Sequence, residues 1–319
     1  MAMLGQVSEV WELYAVYVCY GIGFCCSGLI PVTTIVTRWF HRQRALALSV
    51  ASTGLSIGGV VVTPASAVMV DRLGLATAAP LLGLLFLLGV LPSLLIVRPS
   101  PASVGLTPDG DPRVESAGPV VVDGVDFRDA IRGRYFWLLG FAYFLLMGVQ
   151  VGGIAHQYGL VAERASPGIA VYLLAILPTF SIIGRLAGGI FADRTPIGSF
   201  TMIMIFIQTV AMFLLGTASS DAALVIGLSI FGISVGNLLM LHPLLIANAY
   251  GLRHYPRLYS VSNLLSALGV AAGPAVIGFT LSVTGTYTVA YLGGGVIAGM
   301  ALAVFALAGR PYKRSTTSA

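Results

Sequence analysis

The sequence predicts an all-α polytopic membrane protein, and three observations carry that prediction. Of 319 residues, 57% are hydrophobic and only 9% are Asp, Glu, Lys or Arg, against roughly a quarter charged in soluble domains. The mean hydropathy of +0.93 is more than a water-soluble fold of this size can hide. The uncharged runs reach the ~20 residues a helix needs to cross the ~30 Å hydrocarbon core, and none alternates with the period of two of a barrel strand. A soluble globular domain, a disordered chain and a disulfide scaffold are excluded on composition.

Nine spans are expected, near residues 14–36, 46–70, 77–97, 135–156, 168–192, 199–217, 222–247, 259–282 and 288–309. Each is bounded by charge, Pro or Gly clusters. Between the third and fourth, residues 98–134 carry Pro99, Pro101, Pro108, Pro112 and Pro119 with six acids and five arginines. This stretch reads as a soluble linker. The expected organisation is therefore three spans over 1–97, a cytoplasmic linker over 98–134, a six-helix half over 135–310 and a tail over 311–319.

Orientation follows from the bases. With the linker placed in the cytoplasm, 14 of the 17 Lys and Arg residues fall on that side. Arg72 and Arg164 fall on the other, and Arg185 lies within a span. The asymmetry explains the net charge of +5 without a nucleic-acid partner. The lipid bilayer is the expected partner, in a multi-pass cell-membrane protein whose C-terminus is cytoplasmic. The first twelve residues hold two acids and no base, so no cleaved export signal is expected. Cys19, Cys25 and Cys26 form no CxxC pair and read as small helix-packing residues.

An internal repeat emerges when residue i is set against i+211. Tyr20-Gly21-Ile22 then faces Phe231-Gly232-Ile233, Arg42 faces Arg253, Ser49-Val50 faces Ser260-Val261, Gly58 faces Gly269 and Gly74 faces Gly285; Pro64 and Pro274 match with a one-residue slip. Spans one and two thus pair with seven and eight. The parallel direction suggests halves related by an axis along the membrane normal.

On these residues the chain resembles the major facilitator superfamily. The segment Arg38-Trp39-Phe40-His41-Arg42-Gln43-Arg44-Ala45-Leu46-Ala47, followed by Gly54-Leu55-Ser56-Ile57-Gly58 and Pro64, is similar to that family's loop between its fourth and fifth helices, notably in the monocarboxylate and oxalate/formate porter branches. Gly184-Arg185 through Gly188-Gly189 to Asp193-Arg194 resembles its G-x-x-x-D-R signature. Gly269 to Gly273-Pro274 and Gly278 resembles the eleventh helix. The resemblance implies the superfamily fold with about nine helices of a twelve-helix plan, the first two to three being absent. A chain begun at an internal Met is the expected cause; a nine-helix protein completed by dimerisation is the alternative.

Arg185 is the one Asp, Glu, Lys or Arg well inside an expected span, and an intramembrane charge marks a pathway or ligand site by default. Snorkelling to the cytoplasmic headgroups is the alternative. The resemblance implies that Arg185 anchors a substrate carboxylate, for which a planar guanidinium is suited. Ser181, one turn earlier, stands where some members of the branch carry a proton-accepting Asp. Gln150, His156, Gln157 and Tyr158 form a polar string at the outer end of the fourth span, either lining the cavity or belonging to an interfacial belt. Asn237, Asn263 and Gln208 are weaker candidates, each equally suited to an interhelical hydrogen bond. His242-Pro243 reads as a kink. Asp193 and Arg194 are expected to form a cytoplasmic gate contact, since the resemblance places the acid at a neighbouring helix N-terminus.

No HExxH, GxSxG or Walker sequence is present, so neither an enzyme nor an ATP-driven pump is expected, and no cofactor or metal. The expected function is secondary transport of a small monocarboxylate-like organic anion by alternating access, coupled to a proton or an exchanged anion. The alternatives are a drug or neutral-solute porter, in which Arg185 is structural, and a transport-inactive membrane interaction protein.

Overall fold

The computed structural model describes residues 2–7, 9–110, 124–166 and 168–309. Residues 111–123 of the expected linker and the whole expected tail lie outside the described residues, as do the side chains of Cys25 and Cys26. The described chain is helical throughout: α1 (Val10–Ser27), α2 (Leu29–Trp39), α3 (Arg44–Ile57), α4 (Thr63–Leu73), α5 (Leu75–Ile96), α6 (Phe127–Arg132), α7 (Arg134–Ala155), α8 (Gln157–Arg164), α9 (Ala170–Arg194), α10 (Ile197–Thr217), α11 (Asp221–Tyr250), α12 (Tyr255–Thr284) and α13 (Tyr287–Ala308). Among the described residues no strand forms; one isolated bridge joins Gly124 to Gly251. The chain is an integral, multi-pass membrane protein.

Seven of these helices are long and apolar enough to span a bilayer, namely α5, α7 and α9 to α13. The first expected span is broken, and the second is a continuous helix distorted at one turn. Gly28 adopts an extended conformation (φ −79°, ψ −159°) between α1 and α2. A π-turn over Gly58–Val62 separates α3 from α4. Both irregularities fall at glycine, the residue that costs a helix most in backbone entropy. Hydropathy is blind to both.

Two compact units are present. The first comprises residues 1–41 and 54–118. In it α1 packs on α2, α4 packs on α5, and the short turn Ala2–Gln6 packs on α5. Little of α5 is covered, and Trp11, Tyr14, Tyr17 and Phe24 of α1 are exposed. Cys19 is likewise exposed, so it does not serve the packing role expected of it. Trp39 Nε1 donates to the Arg98 carbonyl at 3.0 Å, and the His41 amide donates to Asp109 Oδ1 at 3.0 Å.

The second unit comprises residues 42–53 and 119–319, so the first part of α3 belongs to it. Its membrane helices pack as α7 with α12 and α13, α9 with α11, and α10 with α11 and α13. Glycine lets the backbones touch. A Cβ on Gly273 would stand 2.0 Å from the Gly148 carbonyl oxygen, and one on Gly269 would stand 2.0 Å from that of Phe144. The Gly148-x3-Gly152 and Gly269-x3-Gly273 pairs therefore meet across α7 and α12, the small-residue contact that membrane helices use in place of hydrophobic association.

The repeat survives in the helix boundaries. Shifted by 211, α1 through α2 (10–39) coincides with α11 (221–250), and α3 through α4 (44–73) coincides with α12 (255–284). Gly74 and Gly285 both end their helices at positive φ (73° and 70°) and donate to carbonyls four residues back. The third segment, α5, matches α13 to within a residue. The pairing thus extends one span further than the sequence matches alone reach.

Candidate functional site

The site is built where α9 meets α11 within the second unit. Gly184 and Gly188 on α9 lie against Ile233 and Asn237 of α11, and Gly232 and Gly236 on α11 lie against Leu177 and Ser181 of α9. A Cβ on Gly236 would lie 2.2 Å from the Ser181 carbonyl oxygen, and one on Gly184 would lie 2.7 Å from the Ile233 Cα. This close approach brings backbone carbonyls within reach of the Arg185 side chain, which is 2% exposed. Its Nε donates to the Gly236 carbonyl at 3.1 Å, Nη1 donates to the Ser52 carbonyl of α3, and Nη2 donates to Ser181 Oγ at 3.5 Å. Among the described residues no carboxylate forms an ion pair with it. The guanidinium is held by dipoles and its charge is left uncompensated, the arrangement that favours an anion.

Asn237, the residue after Gly236, donates through Nδ2 to the Gly184 carbonyl at 2.8 Å and to the Ile233 carbonyl at 2.9 Å. Its Oδ1 is buried and has no hydrogen-bond partner. Arg185, Ser181 and Asn237 are thus brought together. Ser49, Ser52 and Thr53 of α3 are buried too, and Ser49 Oγ lies 2.7 Å from Met240 Sδ on α11. Sequence reasoning missed this stripe. Its spacing of three and four residues on one helical face is the signal that could have found it.

The polar string on α7 and α8 lies apart from that cluster, and among the described residues no hydrogen bond joins it to Arg185. Gln150 is buried, with its Oε1 unpartnered. His156 closes α7, its Nδ1 3.5 Å from the Tyr287 hydroxyl and its Nε2 3.1 Å from the Pro274 carbonyl. Tyr158 is 71% exposed.

At the end of α9, Asp193 accepts from two consecutive amides at the start of α3: Ala45 to Oδ1 at 2.9 Å and Leu46 to Oδ2 at 3.1 Å. First-turn amides have no partner within their own helix, and the dipole there favours an anion. Arg194 is exposed.

Two further polar constructions escaped sequence reasoning. The α8 residues Glu163 and Arg164 tie together neighbouring helix ends. Arg164 Nη1 donates to the carbonyls of Leu215, Gly216 and Ala218 at 2.7, 3.2 and 3.2 Å, and its Nη2 donates to Thr288 Oγ1 at 2.8 Å. Glu163 accepts from the Tyr287 amide at 3.1 Å. A cavity of about 530 Å³ borders Arg164, Thr217 and Thr288. The second construction surrounds His242, whose ring is buried between α7, α11 and α12.

Comparison with known proteins gives a consistent set of likenesses. The profile of the family described as Major Facilitator Superfamily matches residues 1–243. The chain is 27% identical over 283 residues to the MFS transporter asaE of Aspergillus flavus, covering 85% of this chain and 59% of that protein. It is 23% identical over 312 residues to monocarboxylate transporter 11 of Mus musculus, covering 92% of this chain and 66% of that protein. The chain thus spans little more than half the length of the first of these relatives and about two thirds of the second. Among solved structures, the E. coli fucose:proton symporter FucP superimposes with a TM-score of 0.65 at 15% identity, over 88% of this chain and 72% of that one. At that identity the likeness is one of fold.

Proposed function

Because the chain belongs to the Major Facilitator Superfamily, we propose that it is a secondary transporter moving a small organic anion of the monocarboxylate class by alternating access, with Arg185 holding the carboxylate. One observation carries the reading: a guanidinium 2% exposed inside a membrane helix has carbonyl and hydroxyl partners and no carboxylate partner among the described residues. A charge so placed is costly unless a ligand or a pathway needs it. The relative named as a monocarboxylate transporter supports the substrate class. Ser181 touches the guanidinium, and Asn237, on the same α9–α11 contact, holds a buried oxygen without a hydrogen-bond partner that is an acceptor for a donor group on the substrate. Asp193, with Arg194 beside it, is the gate contact in this reading, and the 14 bases assigned above support a cytoplasmic C-terminus.

The alternative, a neutral-solute porter with a structural arginine, is favoured by the hydrogen bonds that tie Arg185 to α3 and α11. Uptake of labelled lactate, pyruvate or oxalate into proteoliposomes separates the two when wild type is compared with Arg185→Lys. Lysine keeps the charge and loses the planar fork, so carboxylate uptake is expected to collapse while the variant remains folded. Equal uptake by the lysine variant rules out anchoring by the fork.

A further inference from the structure

Besides Arg185, the one residue among Asp, Glu, Lys, Arg and His well inside a described membrane-spanning helix is His242. It sits on α11, six residues past Gly236, or about 9 Å along the axis at helical rise. Its ring is 3% exposed and is engaged at both nitrogens. Nε2 lies 2.8 Å from Ser262 Oγ and Nδ1 lies 3.4 Å from Ser266 Oγ, two hydroxyls one turn apart on α12. Tyr143 of α7 stacks on the ring with 4.1 Å between centroids and 14° between planes. Tyr259 of α12 meets it edgewise at 5.3 Å, with Tyr255 stacked behind Tyr259 at 5.7 Å. Among the described residues, no Asp, Glu, Lys or Arg is hydrogen-bonded or ion-paired to the ring.

We infer that His242 is a proton-binding site, in which the two serine hydroxyls adapt to either charge state of the imidazole. A neutral ring donates at one nitrogen and accepts at the other. With Nε2 donating to Ser262, Ser266 donates to Nδ1. A proton added at Nδ1 turns that nitrogen into a donor, and Ser266 then offers its oxygen. The hydroxyl hydrogen it withdraws has an acceptor in reach, the Ser262 carbonyl at 3.5 Å. No heavy atom has to move and no hydrogen bond is lost. The Tyr143 face lies flat against the ring that carries the charge, a cation–π arrangement.

At His156 one partner, the Pro274 carbonyl, can only accept, and the other is the Tyr287 hydroxyl. His242 has two partners that can each donate or accept. It also shares α11 with Gly236 and Asn237, so the charge on the ring and the occupancy of Arg185 bear on one helix. A carboxylate carried together with this proton would cross without net charge. That last step rests on the carboxylate reading; proton binding itself does not.

The test uses the whole chain in lipid with nitrogen-15 histidine. It has four histidines, and His242→Gln identifies which signal belongs to His242. As pH is lowered, that signal is expected to pass from one protonated nitrogen to two, and Ser266→Ala is expected to move the midpoint to lower pH. A ring that stays in one neutral tautomer until the protein unfolds overturns the inference. In proteoliposomes, His242→Gln is expected to lose pH-driven pyruvate accumulation and to retain counterflow. Intact accumulation, or loss of both activities, overturns the coupling. If wild type moves no pyruvate, the carboxylate reading fails and the nitrogen-15 titration still decides the proton site.

Discussion

Asp193 accepts a 2.9 Å hydrogen bond from the amide of Ala45, so the acid that closes α9 caps a helix whose first turn lies 148 residues upstream. The second oxygen takes the next amide, that of Leu46, at 3.1 Å. A carboxylate that receives two first-turn amides holds the start of α3 against the end of α9 for as long as the two remain engaged.

Asp193→Asn removes the charge and one acceptor and is expected to weaken this cap by about 1 kcal/mol. If the contact acts as a gate, single cysteines introduced on opposite faces of the membrane should change their labelling rates in opposite senses in the variant. Unchanged labelling on both faces would count against the gate.

Glycine contacts supply a second prediction. Gly273→Ala places a methyl 2.0 Å from the Gly148 carbonyl oxygen, with backbone on both sides. Neither can yield without parting α7 from α12, and a loss of about 1–3 kcal/mol is expected. Gly293→Ala on α13 meets nothing within 4 Å and is the matched control. Thermal unfolding in detergent should separate the two; equal midpoints would show that α7 and α12 do not depend on the close approach.

Arg164 provides the third. Arg164→Ala strands the carbonyls at the end of α10 and removes a charged hydrogen bond to Thr288. A charge-assisted bond of this kind is worth about 1.5–3 kcal/mol, and the variant should lose about that much. Arg164→Lys recovers only part, because an ammonium lacks the fork that reaches α10 and α13 together. A wild-type unfolding midpoint for the alanine variant would refute the clasp.

Glycine at positive φ supplies the fourth. Gly285→Ala at the end of α12 forces a Cβ into the left-handed region at φ 70° and is expected to cost about 1 kcal/mol. Amide exchange should report the change as faster opening of the last turn of α12, while α7 exchanges as before.

The later spans were legible because each is bounded by charge or by a turn: 135–156 was expected against Arg134–Ala155, and 199–217 against Ile197–Thr217. The break at Gly28 and the π-turn at Gly58 were not, since both lie inside uninterrupted apolar runs where hydropathy does not change. Arg185 was legible as a lone charge in a span. Its partners at Ser52 and Gly236 were not, because backbone carbonyls leave no mark on a sequence. The same holds for Arg164, whose acceptors on α10 lie 51 to 54 residues away. His242 was visible as a polar residue in an apolar run, but the proline beside it offered a simpler account. Only the fold set it against Ser262 and Ser266.

The register of the repeat has a consequence for how this chain can vary. Four residues, 40–43, join α2 to α3, and four residues, 251–254, join α11 to α12. A helix turns about 100° per residue, so one inserted residue would swing a whole face of the following helix away from its neighbours. Of the residues in the two segments only Arg42 and Arg253 agree, while the lengths are the same. Rotational phase, more than chemistry, is the inheritance the two copies share.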